Sequence, residues 1–196
     1  MLSKEEIIKI AKAQAKLAKK MTPEELKKEF ISYFGIDAWN EEETMSKLID
    51  ISFKVTEDLG IEMVPVIFED FTEVNRVAPD SRIYFGKDPY IAINRKYATD
   101  LTESLKCLFH EYRHLHQMYR IVLMDDIVSK RLKEELTTYT ITELESEFTE
   151  VELDAYAYTK YAFLHYFNIS ISHKSKEYDK LVTLYYEKYL IPEFNN

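Results

Sequence analysis

His110, Glu111 and His114 stand in the order H-E-x-x-H within "CLFHEYRHLHQM", residues 107–118. On a helix, histidines four apart project side by side. Two such imidazoles can both reach one Zn²⁺ at about 2.0–2.1 Å. The glutamate directly after the first histidine is angled away from ligation. It can instead hold and deprotonate a metal-bound water. The spacing therefore suits metal-assisted hydrolysis. A polar helix face carrying these residue types by chance is the plain alternative.

A catalytic zinc site needs a third protein ligand and an open position. The later stretch "ESEFTEVELDAYAYTKYAF", residues 145–163, offers several acids. As a helix it carries an apolar stripe of Leu144, Phe148, Val151, Ala155, Tyr158 and Ala162. Glu152 lies on one edge of that stripe and Asp154 on the other. Either can reach a neighbouring helix. Glu145, Glu147 and Glu150 are expected on a solvated face.

The elements that must position these groups follow from pattern. Three glycines and five prolines in 196 residues are few breakers, which argues for long helices. Ser3 and Glu6 form a capping box for a helix to Lys20. A second helix runs from Pro23 to Phe34, stopped by Gly35. A third spans 41–58, with Met45, Leu48, Ile49, Ile51 and Val55 inward and Gly60 as its stop. "MVPVIFED" is β-rich, and Pro65 marks an edge position. "RIYF", "GKDP" and "YIAIN" read as a hairpin, with Ile91 and Ile93 on one face.

Asp100 and Glu103 cap a long helix to Met124. Its main stripe is Leu101, Leu105, Leu108, Tyr112, Leu115, Tyr119 and Val122. His110 and His114 lie opposite, flanked by Cys107, Met118 and Ile121, so the helix is covered on two sides. Asp125 and Asp126 open the next helix, to Thr138. Thr142 and Glu145 cap another that reaches Phe167, and 173–190 form the last. Helices, a small sheet and more helices make the fold α+β and mostly helical.

The net charge of −9 argues against a nucleic-acid partner, which needs clustered Lys and Arg. No stretch has the length of a membrane span. The single cysteine, Cys107, forms no intrachain disulfide, and "MLSKEEIIKI" reads without the apolar core or cleavage site of a signal peptide. A reducing, cytoplasmic location is expected.

H-E-x-x-H followed by E-x-x-A-x-x-[FY] on a second helix resembles the small gluzincin metallopeptidases, nearest the ImmA/IrrE-type family. Glu152, Ala155 and Tyr158 fill the second motif, and the likeness spans residues 80–165. It implies a minimal zincin-like core over 61–196: a small sheet with an edge hairpin, an active-site helix and a ligand helix. Residues 1–60 are then an N-terminal helical extension, or part of one compact domain. It implies Zn²⁺ held by His110, His114 and Glu152, with Glu111 as general base. It further implies hydrolysis of a peptide bond in a protein or peptide substrate, which could add to the hairpin's edge as a strand.

The family's Asn or Asp after the alanine is Tyr156 in this chain. That departure leaves Asp154 open as a substitute support or as the ligand itself. It also keeps a second reading: an inactive zincin-like interaction protein that binds a regulatory partner. His165, Tyr156 and Tyr158 are candidates to stabilise an oxyanion. His116 is expected packed or at the surface, His173 at the surface and Cys107 in the core. Gln117 and Arg113 are expected at the surface, with support of the ligands as the alternative.

Overall fold

The computed structural model is described over residues 40–71, 80–138, 149–173 and 175–194. The helices expected over 3–20 and 23–34, the Gly35 stop and the Thr142 start lie outside these residues. All the described elements belong to one unit, residues 36–196.

Helix α1, Glu41–Leu59, begins where the Asn40 side chain accepts the Glu43 N–H at 2.9 Å. Glu41, Glu42 and Glu43 oppose the positive end of the helix dipole. Gly60 ends it at φ 65°, a left-handed conformation that an L side chain rarely adopts. Leu48, Ile51 and Val55 are fully buried as expected. Met45 and Ile49 are only half-buried, and Thr44, Ser52 and Thr56 take core positions instead. Ser52 and Thr56 enter the core satisfied, because their hydroxyls donate to the carbonyls of Leu48 and Ser52.

The sheet has three strands: β1 (Val66–Glu69), β2 (Ser81–Tyr84) and β3 (Tyr90–Asn94), in the order β1-β3-β2. β2 and β3 form the expected antiparallel hairpin, while β1 runs parallel to β3. Central β3 buries Ile91, Ala92 and Ile93 completely. β1 lies at an edge, so Pro65 costs the ladder nothing; its carbonyl accepts the Ile91 N–H.

Helix α2, Leu101–Leu123, starts at Asp100, whose carboxylate accepts the Glu103 N–H at 3.0 Å. Leu101, Leu105, Leu108, Tyr112 and Leu115 are buried as the stripe requires. Val122 is 74% exposed, because the helix overruns the core in its last turns. Its other side packs on α4, Glu150–Phe167, where Phe109 meets Phe163, Tyr166 and Phe167. Between them, α3 spans Ile127–Thr138, opened by the Asp126 carboxylate on the N–H groups of Val128 and Ser129.

The expectation of one helix from Thr142 to Phe167 is corrected at Thr149. Its backbone is extended (φ −74°, ψ 155°) and its hydroxyl accepts the Glu152 N–H at 3.3 Å. Helix α4 therefore begins at Glu150. The last helix is also redrawn: α5 spans Lys176–Tyr185, a wide π turn covers Tyr186–Leu190, and α6 is Ile191–Phe194. Two residues past the wide turn comes Pro192, which has no N–H to continue a regular ladder. The fold is α+β and mostly helical.

Candidate metal centre

Two helices bring the candidate ligands together. His110 and His114 lie on neighbouring turns of α2, and Glu152 lies in the first turn of α4. The start of α4 is held twice. Thr149 caps it, and the Glu135 carboxylate from α3 accepts the N–H groups of Glu150 and Val151 at 2.7 and 2.9 Å. Three of the orphan donors of the helix are thus satisfied, which fixes where Glu152 emerges.

The three donor side chains form a small triangle, in which Glu152 turns a different oxygen to each histidine. His110 Nε2 is 2.9 Å from His114 Nε2, 3.2 Å from Glu152 Oε2, and His114 Nε2 is 3.3 Å from Glu152 Oε1. A tetrahedral ion with bonds of about 2.0–2.1 Å separates its ligand atoms by about 3.3 Å. The two His–Glu contacts, on different Glu152 oxygens, match that spacing and the His–His contact is slightly contracted; with one ligand atom from each residue all within 4.8 Å of one another, the residues fit a small divalent cation. These side chains are 14–17% exposed, so the group is sheltered but reachable from solvent. His110, His114 and Glu152 thus form a group that could hold a metal ion.

His114 is oriented by its second nitrogen. Gln117 Nε2 donates to the Val151 carbonyl at 2.9 Å and to Asp154 Oδ2 at 2.7 Å. With its amino group committed to two acceptors, the amide must turn Oε1 toward His114 Nδ1, 2.9 Å away. The neutral ring so oriented keeps its proton on Nδ1 and turns Nε2 toward the triangle, where its lone pair serves an ion once the second proton has left. His110 lacks such support. Its Nδ1 is buried with no hydrogen-bond partner among the described residues, and the ring rests on Tyr156, centroids 4.6 Å apart.

The electrostatics follow from these contacts. Burial opposes charge on His114, but the hydrogen bond and charge of Glu152, then the charge of Glu111, raise it to about 9. Burial also opposes charge on Glu152, yet His110 and His114 hold its carboxyl well below the usual carboxylate range. Without an ion, then, the cluster holds a proton against a carboxylate.

Glu111, 5% exposed, does not join the triangle. Its Oε1 accepts a hydrogen bond from Ser81 Oγ at 2.7 Å, at the start of strand β2. The base candidate is therefore tied to the sheet edge and not to the histidines.

Asp154 is 1% exposed and is not part of the triangle. It pairs with Arg113 through both oxygens, at 2.6 and 2.9 Å. Arg113 is fully buried and Gln117 is 3% exposed, which corrects their expected surface placement. An arginine can be buried there because two carboxylates, Asp154 and Glu193, meet it. His116 is packed against the same guanidinium, its Nδ1 2.9 Å from Arg113 Nη1. Burial, then the Arg113 charge, lower it to about 4.

Of the oxyanion candidates, only Tyr156 borders the triangle. Tyr158 is fully buried beneath Arg113, and His165 sits thirteen residues beyond Glu152, about 20 Å along the helix, stacked on Tyr161. His173 is half-buried against Tyr156 and Tyr178. Cys107 is buried, and burial pushes its thiol up to about 12, as fits a core residue. A cavity of about 520 Å³ lies among Glu62–Pro65, Ile67, Lys87–Tyr90, Leu115 and Tyr119 and includes no triangle residue.

The chain matches no family model, no curated protein and no solved structure.

Sequence reasoning passed over Ser81, Glu135 and Glu193. Ser81 opens a strand and Glu135 sits on a short amphipathic helix, and neither position carries a local signal of its role. Gln117 had one, lying one turn after His114 on the same face of α2. No helix among the described residues is long and apolar enough to cross a membrane.

Proposed function

We propose that the chain is a zinc-dependent metallopeptidase of the small gluzincin type, acting on a protein or peptide substrate. The observation that carries this reading is the 2.9–3.3 Å triangle of His110, His114 and Glu152, with Glu111 buried beside it. Two imidazoles and one carboxylate are the donor set and number of a catalytic zinc, which keeps one position open. The bound ion would supply Lewis acidity, polarising a carbonyl and acidifying water.

The chain's own residues supply the rest. Gln117 and Asp154 hold His114 in the tautomer that offers Nε2. Ser81 holds one oxygen of Glu111, which orients the carboxylate. Glu111 accepts the proton of the attacking water and passes it to the leaving amine. Strand β2 is an edge of the sheet, and an extended peptide pairing there would lie beside the Ser81–Glu111 contact.

The test is Glu111→Gln. The variant should keep one zinc per chain when purified without chelator, and should lose cleavage by roughly 100-fold or more. Cleavage is read as new N-termini in a digest of a mixed peptide library. Undiminished cleavage by the variant would exclude Glu111 as the base.

Two observations favour a second reading, that of a metal-holding interaction protein without turnover. Tyr156 stands where the family has Asn or Asp, and His110 Nδ1 is left unpartnered among the described residues. On this reading neither the wild type nor the variant cleaves, and both hold the ion.

A further inference from the structure

The hydrogen bonds that orient His114 do not stop at Asp154. Arg113 has five N–H donors, and each has an acceptor. Nε donates to Asp154 Oδ2 at 2.6 Å, and Nη2 donates to Asp154 Oδ1 and Glu193 Oε2, both at 2.9 Å. Nη1 donates to Glu193 Oε1 and meets His116 Nδ1, both at 2.9 Å. The guanidinium is thus clamped between one carboxylate from α4 and one from α6. Arg120 Nη1 also approaches Glu193 Oε2, at 2.8 Å. Arg120 Nη2 also pairs with Asp126 at 3.1 Å, so two guanidinium charges meet three carboxylates, of which Asp154 and Glu193 hold Arg113.

We propose that Glu193 is a positioning residue of the metal centre, and that helix α6 is thereby a working part of it. The inference rests on the metal-binding reading of His110, His114 and Glu152. Its logic is the commitment of Asp154. Asp154 Oδ2 receives both Arg113 Nε and Gln117 Nε2. While Glu193 answers the remaining N–H groups of Arg113, Asp154 stays beside Gln117.

Without the Glu193 charge, Asp154 is the carboxylate left to Arg113, while Arg120 keeps Asp126. The carboxylate is drawn toward the unpaired N–H groups and away from Gln117. Gln117 Nε2 then loses one of the two acceptors that fix its amide. A flipped amide presents N–H to His114 Nδ1 and selects the tautomer with its proton on Nε2. That nitrogen is the one the ion needs. Phe194 reinforces the latch, since its ring stacks on Tyr161 and lies near the Arg113 guanidinium.

The experiment compares wild type, Glu193→Gln, Glu193→Asp and His114→Ala as full chains. Zinc affinity is read by competition with a chromophoric chelator at one pH. The visible absorption bands of the cobalt-loaded protein and the thermal unfolding of the metal-free protein are read alongside. Glu193→Gln keeps the shape and removes the charge. Its zinc affinity should fall about tenfold, as for loss of a group behind a ligand, and its cobalt bands should shift. Glu193→Asp keeps the charge and should recover part of the affinity.

A purely structural Glu193 would lower thermal stability alone. Unchanged affinity and unchanged cobalt bands in folded Glu193→Gln would overturn the proposal. If that variant does not fold, Glu193→Asp carries the test: wild-type affinity and bands in it overturn the proposal, and weakened affinity with shifted bands supports it. A wild type that binds no more zinc than His114→Ala would remove the metal reading itself, and the proposal with it.

Discussion

His114 shows how much of a candidate metal site lies outside its candidate ligands. The ring is one turn from His110 because of sequence spacing, but its usable lone pair depends on Gln117, Asp154 and Arg113 in series. Its proton gives a prediction. In the metal-free protein His114 is raised to about 9, chiefly because Glu152 outweighs the cost of burial. An ion must displace that proton. Zinc affinity should therefore climb about tenfold per pH unit from pH 7 and flatten above about 9. Chelator competition across that range would read it, and a flat profile would contradict the proton's placement. At this scale the sequence was legible where chemistry is local: H-E-x-x-H and Glu152 are a spacing and a periodic edge. The buried Arg113 was not legible. A guanidinium enters a core only if distant carboxylates meet it, and one of them, Glu193, is eighty residues away.

At the scale of elements, caps were legible and continuity was not. Asp100 and Gly60 act as their types and positions demand. So does Pro65 at the sheet edge. The hairpin was readable because its strands are adjacent in the chain. The parallel pairing of β1 with β3 is not adjacent and had no local sign. Thr149 was missed because a threonine inside a run of helix formers looks like part of it. The break there depends on Glu135 of another helix, which answers two of the exposed N–H groups. Thr149→Ala removes the hydroxyl that receives the Glu152 N–H. Unfolding free energy in urea should fall by about 1 kcal/mol. A change within about 0.3 kcal/mol would show that Glu135 alone holds the end of α4.

At the scale of the molecule, a buried ionic cluster joins α2, α4 and α6 behind the His110–His114–Glu152 triangle. It sets the acid limit of the fold through His116, which is 7% exposed and packed on Arg113. Burial and the Arg113 charge lower His116 to about 4 in the folded state, against about 6.5 unfolded. A lowered histidine contributes stability that is full above pH 6.5 and lost as pH falls through 4. The loss is about 3 kcal/mol at most. Asp154 and Glu193 are held below their usual ranges, against the cost of burial and largely by Arg113, so their share is lost lower still. Urea unfolding at stepped pH should show wild type losing stability between 6.5 and 4, with His116→Asn losing markedly less. Parallel curves would remove His116 from this role.

The central claim concerns one ion and three side chains. Crystals of zinc-loaded protein, with diffraction recorded on both sides of the zinc absorption edge, test it most directly. The account predicts one anomalous peak about 2.0–2.2 Å from His110 Nε2, His114 Nε2 and a Glu152 oxygen. A molecule that takes up zinc elsewhere, or leaves that triangle without a peak under zinc saturation, would contradict it.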